Sequence, residues 1–286
     1  MTTLARLFGM LLLFAFAKAE AQWTRGANQG YFKLSAWFLE ADQHYTSSGE
    51  TDPNATRGQF NVNLYAEYGI SDRWDVVAYV PFFSRTYQND QVSGVTGNVI
   101  TEGDEVNSIG DIDVGVRYGI IQKEKFVLAA TLKLGLPTGE SSGGVDGSYQ
   151  TGDGEFNQLL ELSAGTSFKT GTIPWYAKAY TGFNNRTDGF SDEFRVGAEV
   201  GSNVVPEKLW LAGRLNVVES LQNGDRNAQN GNGSIFANNI EYVSLGAEVN
   251  YNLSDRWGLS AAVDTAVSGR IVYAAPSYTA GVFFKL

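Results

Sequence analysis

Residues 60–82 read FNVNLYAEYGI (60–70), SDR (71–73) and WDVVAYVPF (74–82). In the first arm Phe60, Val62, Leu64, Ala66, Tyr68 and Ile70 alternate with Asn61, Asn63, Tyr65, Glu67 and Gly69. In the second, Trp74, Val76, Ala78, Val80 and Phe82 alternate with Asp75, Val77, Tyr79 and Pro81. Period-2 alternation predicts two β-strands, each with an apolar and a more polar face. Each arm is about 10 residues long, the length a tilted strand needs to cross a bilayer. Tyr68 and Trp74 flank the turn on the apolar face, where interfacial aromatics belong.

The same pattern recurs outward from this hairpin. Alternating segments run Tyr31–Tyr45 before it, then Ile109–Ile120, Phe126–Leu136, Glu155–Phe168, Trp175–Phe183, Phe194–Val204, Leu209–Val218, Glu241–Leu253, Trp257–Val267 and Tyr278–Leu286. That predicts twelve strands. Connections after even-numbered strands are short; most after odd-numbered strands are long and polar, as at 46–58, 84–107, 137–154 and 219–236. An even strand count with turns on one side and loops on the other predicts an all-β transmembrane antiparallel barrel in the bacterial outer membrane, with both termini periplasmic. NLSDRWGLSA near the end repeats the turn of GISDRWDVVA. A secreted β-sandwich or lipocalin-like barrel also alternates, but it does not require twelve membrane-length strands or sort its loops by side.

The N-terminus fits that compartment. Arg6 precedes an apolar run of 11 residues, Leu7–Ala17, and small-x-small sites end at Ala19 and Ala21. This reads as a signal peptide over residues 1–21, cleaved after Ala19 or Ala21, with the barrel over 22–286. Loss of Arg6, Lys18 and Glu20 moves the net charge from -10 to -11. An acidic chain without a basic patch argues against nucleic acid as a partner. With no cysteine, disulfide scaffolds, thiolate metal sites and N-terminal lipidation are excluded. No later segment approaches the length of an apolar helical span. The final strand alternates Tyr278, Ala280, Val282, Phe284 and Leu286 to the last residue. Such an ending resembles the signal read by the outer-membrane assembly machinery, although Leu286 stands where a terminal Phe is usual.

If the apolar faces meet lipid, the opposite faces line the lumen. The predicted lumen acids are Glu67, Asp75, Asp111, Asp113, Glu161, Glu193, Glu199, Glu248 and Asp264; the predicted bases are Lys33, Arg117, Lys133, Lys178, Arg195, Arg214 and Lys285. Nine acids against seven bases make a mixed interior rather than a single-sign filter. It reads either as a conduit that orients solutes or as a cross-strand ion-pair network filling a narrow barrel. Catalysis has little support. His44 is the only histidine and has no recognisable partner, so neither an activated serine nor a zinc site is indicated. The Asp/Asn/Gly clusters at 144–154 and 223–233 lack EF-hand spacing and read as solvated loops. No phosphate-binding glycine motif is present, and no cofactor is expected.

SIGDIDVGVRYGI (108–120), TLKLGLPTGE (131–140) and YQTGDGEFNQLLELSAG (149–165) together resemble the outer-membrane β-barrel family associated with the meta-cleavage (MetA) pathway of phenol degradation. GISDRWDVVAYVPF (69–82) is similar to the neighbouring segment of that family. The resemblance implies an outer-membrane barrel that imports hydrophobic or aromatic compounds, and it supplies no catalytic residues. The function expected is a passive channel for small solutes. The alternatives are a structural or adhesive barrel and, third, an outer-membrane hydrolase.

Overall fold

The computed structural model describes residues 24–225, 228 and 234–286, and of residues 54 and 55 the backbone alone. The expected signal segment 1–21 lies outside the described residues. Twelve long strands follow in order: β1 (Gly30–Tyr45), β2 (Thr51–Gly69), β3 (Trp74–Gln88), β4 (Ile112–Lys123), β5 (Phe126–Leu136), β6 (Asn157–Thr170), β7 (Ile173–Arg186), β8 (Glu193–Val205), β9 (Leu209–Ser220), β10 (Glu241–Asn252), β11 (Trp257–Arg270) and β12 (Pro276–Lys285). Each pairs antiparallel with its sequence neighbours, and β1 pairs with both β2 and β12, so the sheet closes on itself. Closure leaves no strand edge unsatisfied, the condition for spanning hydrocarbon with strands. No described helix is long and apolar enough to cross a membrane.

Alternation decides which face looks where. On β5, Val127, Ala129 and Thr131 are buried inside the barrel, while Phe126 and Leu132 are exposed on its outer wall. On the opening hairpin Glu67 and Asp75 are buried, while Leu64, Tyr68, Trp74, Val76 and Phe82 are exposed. A wall of exposed Leu, Val and Phe around a polar interior inverts a soluble protein and is stable only in lipid. Aromatics collect at the short-turn end of this wall. Trp74 packs on Tyr118 with centroids 4.7 Å apart, Phe168 stacks on Trp175 at 6.3 Å, and Trp257 meets Phe284 at 4.8 Å. The repeated turn has a repeated geometry. Ser71 Oγ accepts from the backbone N–H of Arg73 and Trp74, and Ser254 Oγ accepts from those of Arg256 and Trp257.

The strand assignments agree with the alternation; the differences collect at the long-loop end, where β7 and β11 run three residues further, to Arg186 and Arg270, and two extensions are longer. β2 begins at Thr51 rather than Phe60, so the loop expected at 46–58 is only the turn 46–50. Its extra residues pair with Gln43, His44 and Tyr45 of β1. β3 continues to Gln88 and pairs there with a short strand, Asp104–Ser108, inside what the sequence reads as the loop 84–107. Both extensions stand beyond the apolar belt, where either face meets water or polar loop. Alternation has no physical reason to persist there.

Candidate solute pathway inside the barrel

The inward faces enclose two adjoining cavities of about 440 and 350 Å³. Tyr65, Tyr79, Arg117, Lys178, Glu199 and Arg214 line both and so form the partition between them. Strand register sets each charge beside its partner. Lys178 of β7 is level with Glu199 of β8, which is level with Arg214 of β9. Lys178 pairs with Glu199 at 3.1 Å, and the Tyr176 hydroxyl donates to the same carboxylate at 2.6 Å. Arg214 binds Glu248 through Nη1 at 2.9 Å and Asp264 through Nε and Nη2, at 2.6 and 2.7 Å. Lys33 reaches the other oxygen of Glu248 at 3.3 Å. Lys133 approaches Glu161 at 3.7 Å.

A second group closes the short-turn end. Arg117 of β4 donates to Glu67 at 2.9 Å and to Asp75 at 3.4 Å. The lead-in residue Arg25 donates its side chain to Glu67 at 2.5 Å and its backbone N–H to Asp75 at 3.1 Å. Its guanidinium lies 5.0 Å from the Tyr31 ring, and the Tyr65 hydroxyl donates to Glu67. Thr24 is anchored beside it, donating to the Asp72 carbonyl at 2.7 Å. Asp75, fully buried, is committed to this group rather than to open space.

The expected lumen residues therefore divide. Lys33, Glu67, Asp113, Arg117, Lys133, Glu161, Lys178, Glu199, Arg214 and Glu248 line one or both cavities. Asp75 and Asp264 lie behind them as partners of Arg117 and Arg214. Lys285 stacks on Phe283 at 5.1 Å near the chain end. Glu193, Arg195 and Asp111 stand nearer the long loops. Glu193 binds Arg195 at 2.6 Å and Arg186 at 2.9 Å, and Arg186 also holds Glu155 at 2.7 Å and Asp153 at 2.9 Å.

Asp111 ties three loop motifs into one knot. Its carboxylate accepts from the backbone N–H of Gly139 at 2.9 Å and of Asp153 at 2.8 Å. Thr138 Oγ1 donates to the Gly110 carbonyl at 2.7 Å, and Thr151 Oγ1 donates to that of Ile109 at 2.9 Å. The segments Gly110-Asp111, Pro137-Thr138-Gly139 and Thr151-Gly152-Asp153-Gly154 thus converge. A Cβ on Gly152 would sit 2.2 Å from the Asp111 carboxylate, so the knot needs glycine there. From it the loop 137–156 folds inward, burying Tyr149, Gln150 and Thr151, with Arg57 5.2 Å from the Tyr149 ring. Burial raises the Asp153 carboxyl to about 6, against the pull of Arg186 and with the push of neighbouring Asp111. Asp111 is also raised, chiefly by burial.

Sequence reasoning missed Arg25, because a single charge in a short polar lead-in carries no periodicity. It missed Arg186 as a clamp because the expected strand stops at Phe183, three residues short. His44 lies near the loop end of β1, level with Asp52 and Tyr273, and its Nδ1 has no hydrogen-bond partner. Among the described residues no cluster of three His, Asp or Glu could hold a metal ion; the acids of 144–154 cap backbone N–H groups or bind Arg186. Most of 223–233 lies outside the described residues.

The sequence matches no protein-family model and no curated protein. In fold the chain is similar to an outer membrane channel from Pseudomonas putida F1, at TM-score 0.62 and 13% identity over 95% of this chain and 100% of that one. It is similar also to the β domain of the Bordetella autotransporter BrkA, at TM-score 0.51 and 15% identity over 91% of this chain and 100% of that one. At these identities the likeness establishes the fold: this chain is a closed twelve-stranded barrel of the outer-membrane kind.

Proposed function

We propose that this barrel is a non-catalytic, passive channel for small solutes in the bacterial outer membrane, with both termini and the short turns facing the periplasm. The observation that carries the reading is the pair of adjoining cavities along the barrel interior, separated only by side chains. A lumen filled for stability alone needs no space of several hundred cubic ångströms beside its ion pairs. Mixed, paired charges suit small polar or amphiphilic molecules, whose hydrogen bonds with water can be exchanged for bonds to Tyr, Lys and Arg. A finer reading, uptake of hydrophobic or aromatic compounds, rests on the resemblance of the 108–165 motifs alone. The membrane-facing wall supports lipid as the surrounding partner, and the alternating β12 supports recognition by the assembly machinery.

Liposome swelling tests the reading. Purified barrel in vesicles should admit sugars and amino acids at rates that fall steeply with solute size. Vesicles as tight as protein-free controls would contradict it. The competing reading, a structural barrel, is favoured by one observation, the Thr24–Arg25 segment bonded across the short-turn end of the larger cavity. It predicts those tight vesicles.

A further inference from the structure

The charge of this chain is distributed along the barrel axis in a way that the channel reading does not use. The six connections at the long-loop end span 46–50, 89–111, 137–156, 187–192, 221–240 and 271–275. Their sequence contains thirteen acids, one in the first, five in the second, four in the third, two in the fourth and one in the fifth, against a single base, Arg226. The excess of twelve negative charges is larger than the net charge of -10 of the whole chain. The five short connections, 70–73, 124–125, 171–172, 206–208 and 253–256, contain four acids and four bases. One end of the barrel is strongly anionic and the other is balanced.

Two further observations decide what this distribution can do. Most bases near the anionic end are already ion-paired, Arg85 with Glu105, Arg186 with Asp153, Glu155 and Glu193, Arg195 with Glu193, and Arg270 with Glu241, while Arg57 is held by Gln88, Ser148 and the Tyr149 ring. Glu50, Asp90, Glu102, Glu140, Asp146, Asp188 and Asp225 are exposed and make no ion pair among the described residues. Behind this end, the charges lining the cavities offset one another, with Arg25, Lys33, Arg117, Lys133, Lys178 and Arg214 against Glu67, Asp113, Glu161, Glu199 and Glu248. The lumen therefore presents no opposing field of comparable size. Charges act over roughly 8 Å at physiological salt, and carboxylates gathered on the loops at one end of a closed barrel add their potentials at its mouth.

We propose that the long-loop end is an electrostatic selector that admits cationic and neutral solutes and turns anions away. This rests on the channel reading and names its solute class by charge. The selection belongs to the mouth as a whole, not to a bound ion. It weakens as salt screens the loops.

The test is the reversal potential of the purified full-length barrel in planar bilayers under a tenfold KCl gradient. The expected result is cation selectivity, with a K⁺/Cl⁻ permeability ratio above about 3 at low salt that falls towards one at molar salt. Neutralising Glu50→Gln, Glu102→Gln, Glu140→Gln and Asp188→Asn together should lower the ratio at least twofold. The short-turn control Glu207→Gln/Asp255→Asn should leave it at the wild-type value. A wild-type ratio at or below one, or an unchanged ratio in the loop variant, would overturn the selector while leaving the channel standing. Absence of any conductance in all salts would overturn both.

Discussion

Arg214 grips Asp264 with its Nε and Nη2, at 2.6 and 2.7 Å, across a strand on which the intervening residue is Gly246. The three are level on β9, β10 and β11, and a Cβ on Gly246 would lie 1.9 Å from the Asp264 carboxylate. The glycine is the gap through which the fork closes.

Gly246→Ala is therefore expected to break the fork and destabilise the barrel, and Arg214→Ala to do so by about 2–3 kcal/mol, because Asp264 is left without its cation and Glu248 with Lys33 alone. Equilibrium unfolding in urea from lipid vesicles would measure both. Arg214→Lys should recover less than half of the loss, since an ammonium cannot hold two carboxylates in a planar fork.

Arg25 fills the short-turn end of the larger cavity and neutralises Glu67 together with Arg117. Arg25→Ala should raise single-channel conductance about twofold or more by removing this side chain from the path. A conductance equal to wild type would show that the narrowest section lies elsewhere.

The loop knot should tighten in acid. Asp153 titrates at about 6 in the folded chain, above its ordinary value of 3.8, because burial disfavours its charge. A raised carboxyl favours the folded, protonated form. Its stabilisation is full below about pH 4 and is lost as pH rises through about 6. Arg186 also holds Glu155 and Glu193. Hydrogen-exchange protection of 138–154, corrected for intrinsic rates, should be greater at pH 5 than at pH 7.5. Asp153→Asn should abolish most of that difference.

Deleting Ser141–Gly147 leaves Thr138, Gly139 and Thr151–Gly154 to form the knot but removes the tip of the inward loop. Solute flux into liposomes should rise. Unchanged flux would mean that the loop does not constrict the path.

The strands were legible where the bilayer imposes a rule. Over Phe126–Leu136 alternation places every residue correctly, because one face must satisfy lipid and the other a polar interior. The extension Thr51–Gln59 was not legible, since a strand standing beyond the apolar belt has no such constraint. The inward charges could be read one by one from their face, but not their pairing. Register decides that Lys178 meets Glu199, while side-chain reach across the lumen decides that Lys33 meets Glu248. The Gly-Asp, Leu-Pro-Thr-Gly and Thr-Gly-Asp-Gly motifs were visible as motifs. Their convergence on Asp111 was not, because sequence separations of 28 and 42 residues carry no periodic signal.

Single-channel recording of the purified barrel in planar lipid bilayers tests the central claim most directly. A passive channel predicts discrete, reproducible current steps in KCl that persist without any energy source and grow in Arg25→Ala. A correctly folded, heat-modifiable barrel that inserts and yields no steps above bare lipid would contradict it.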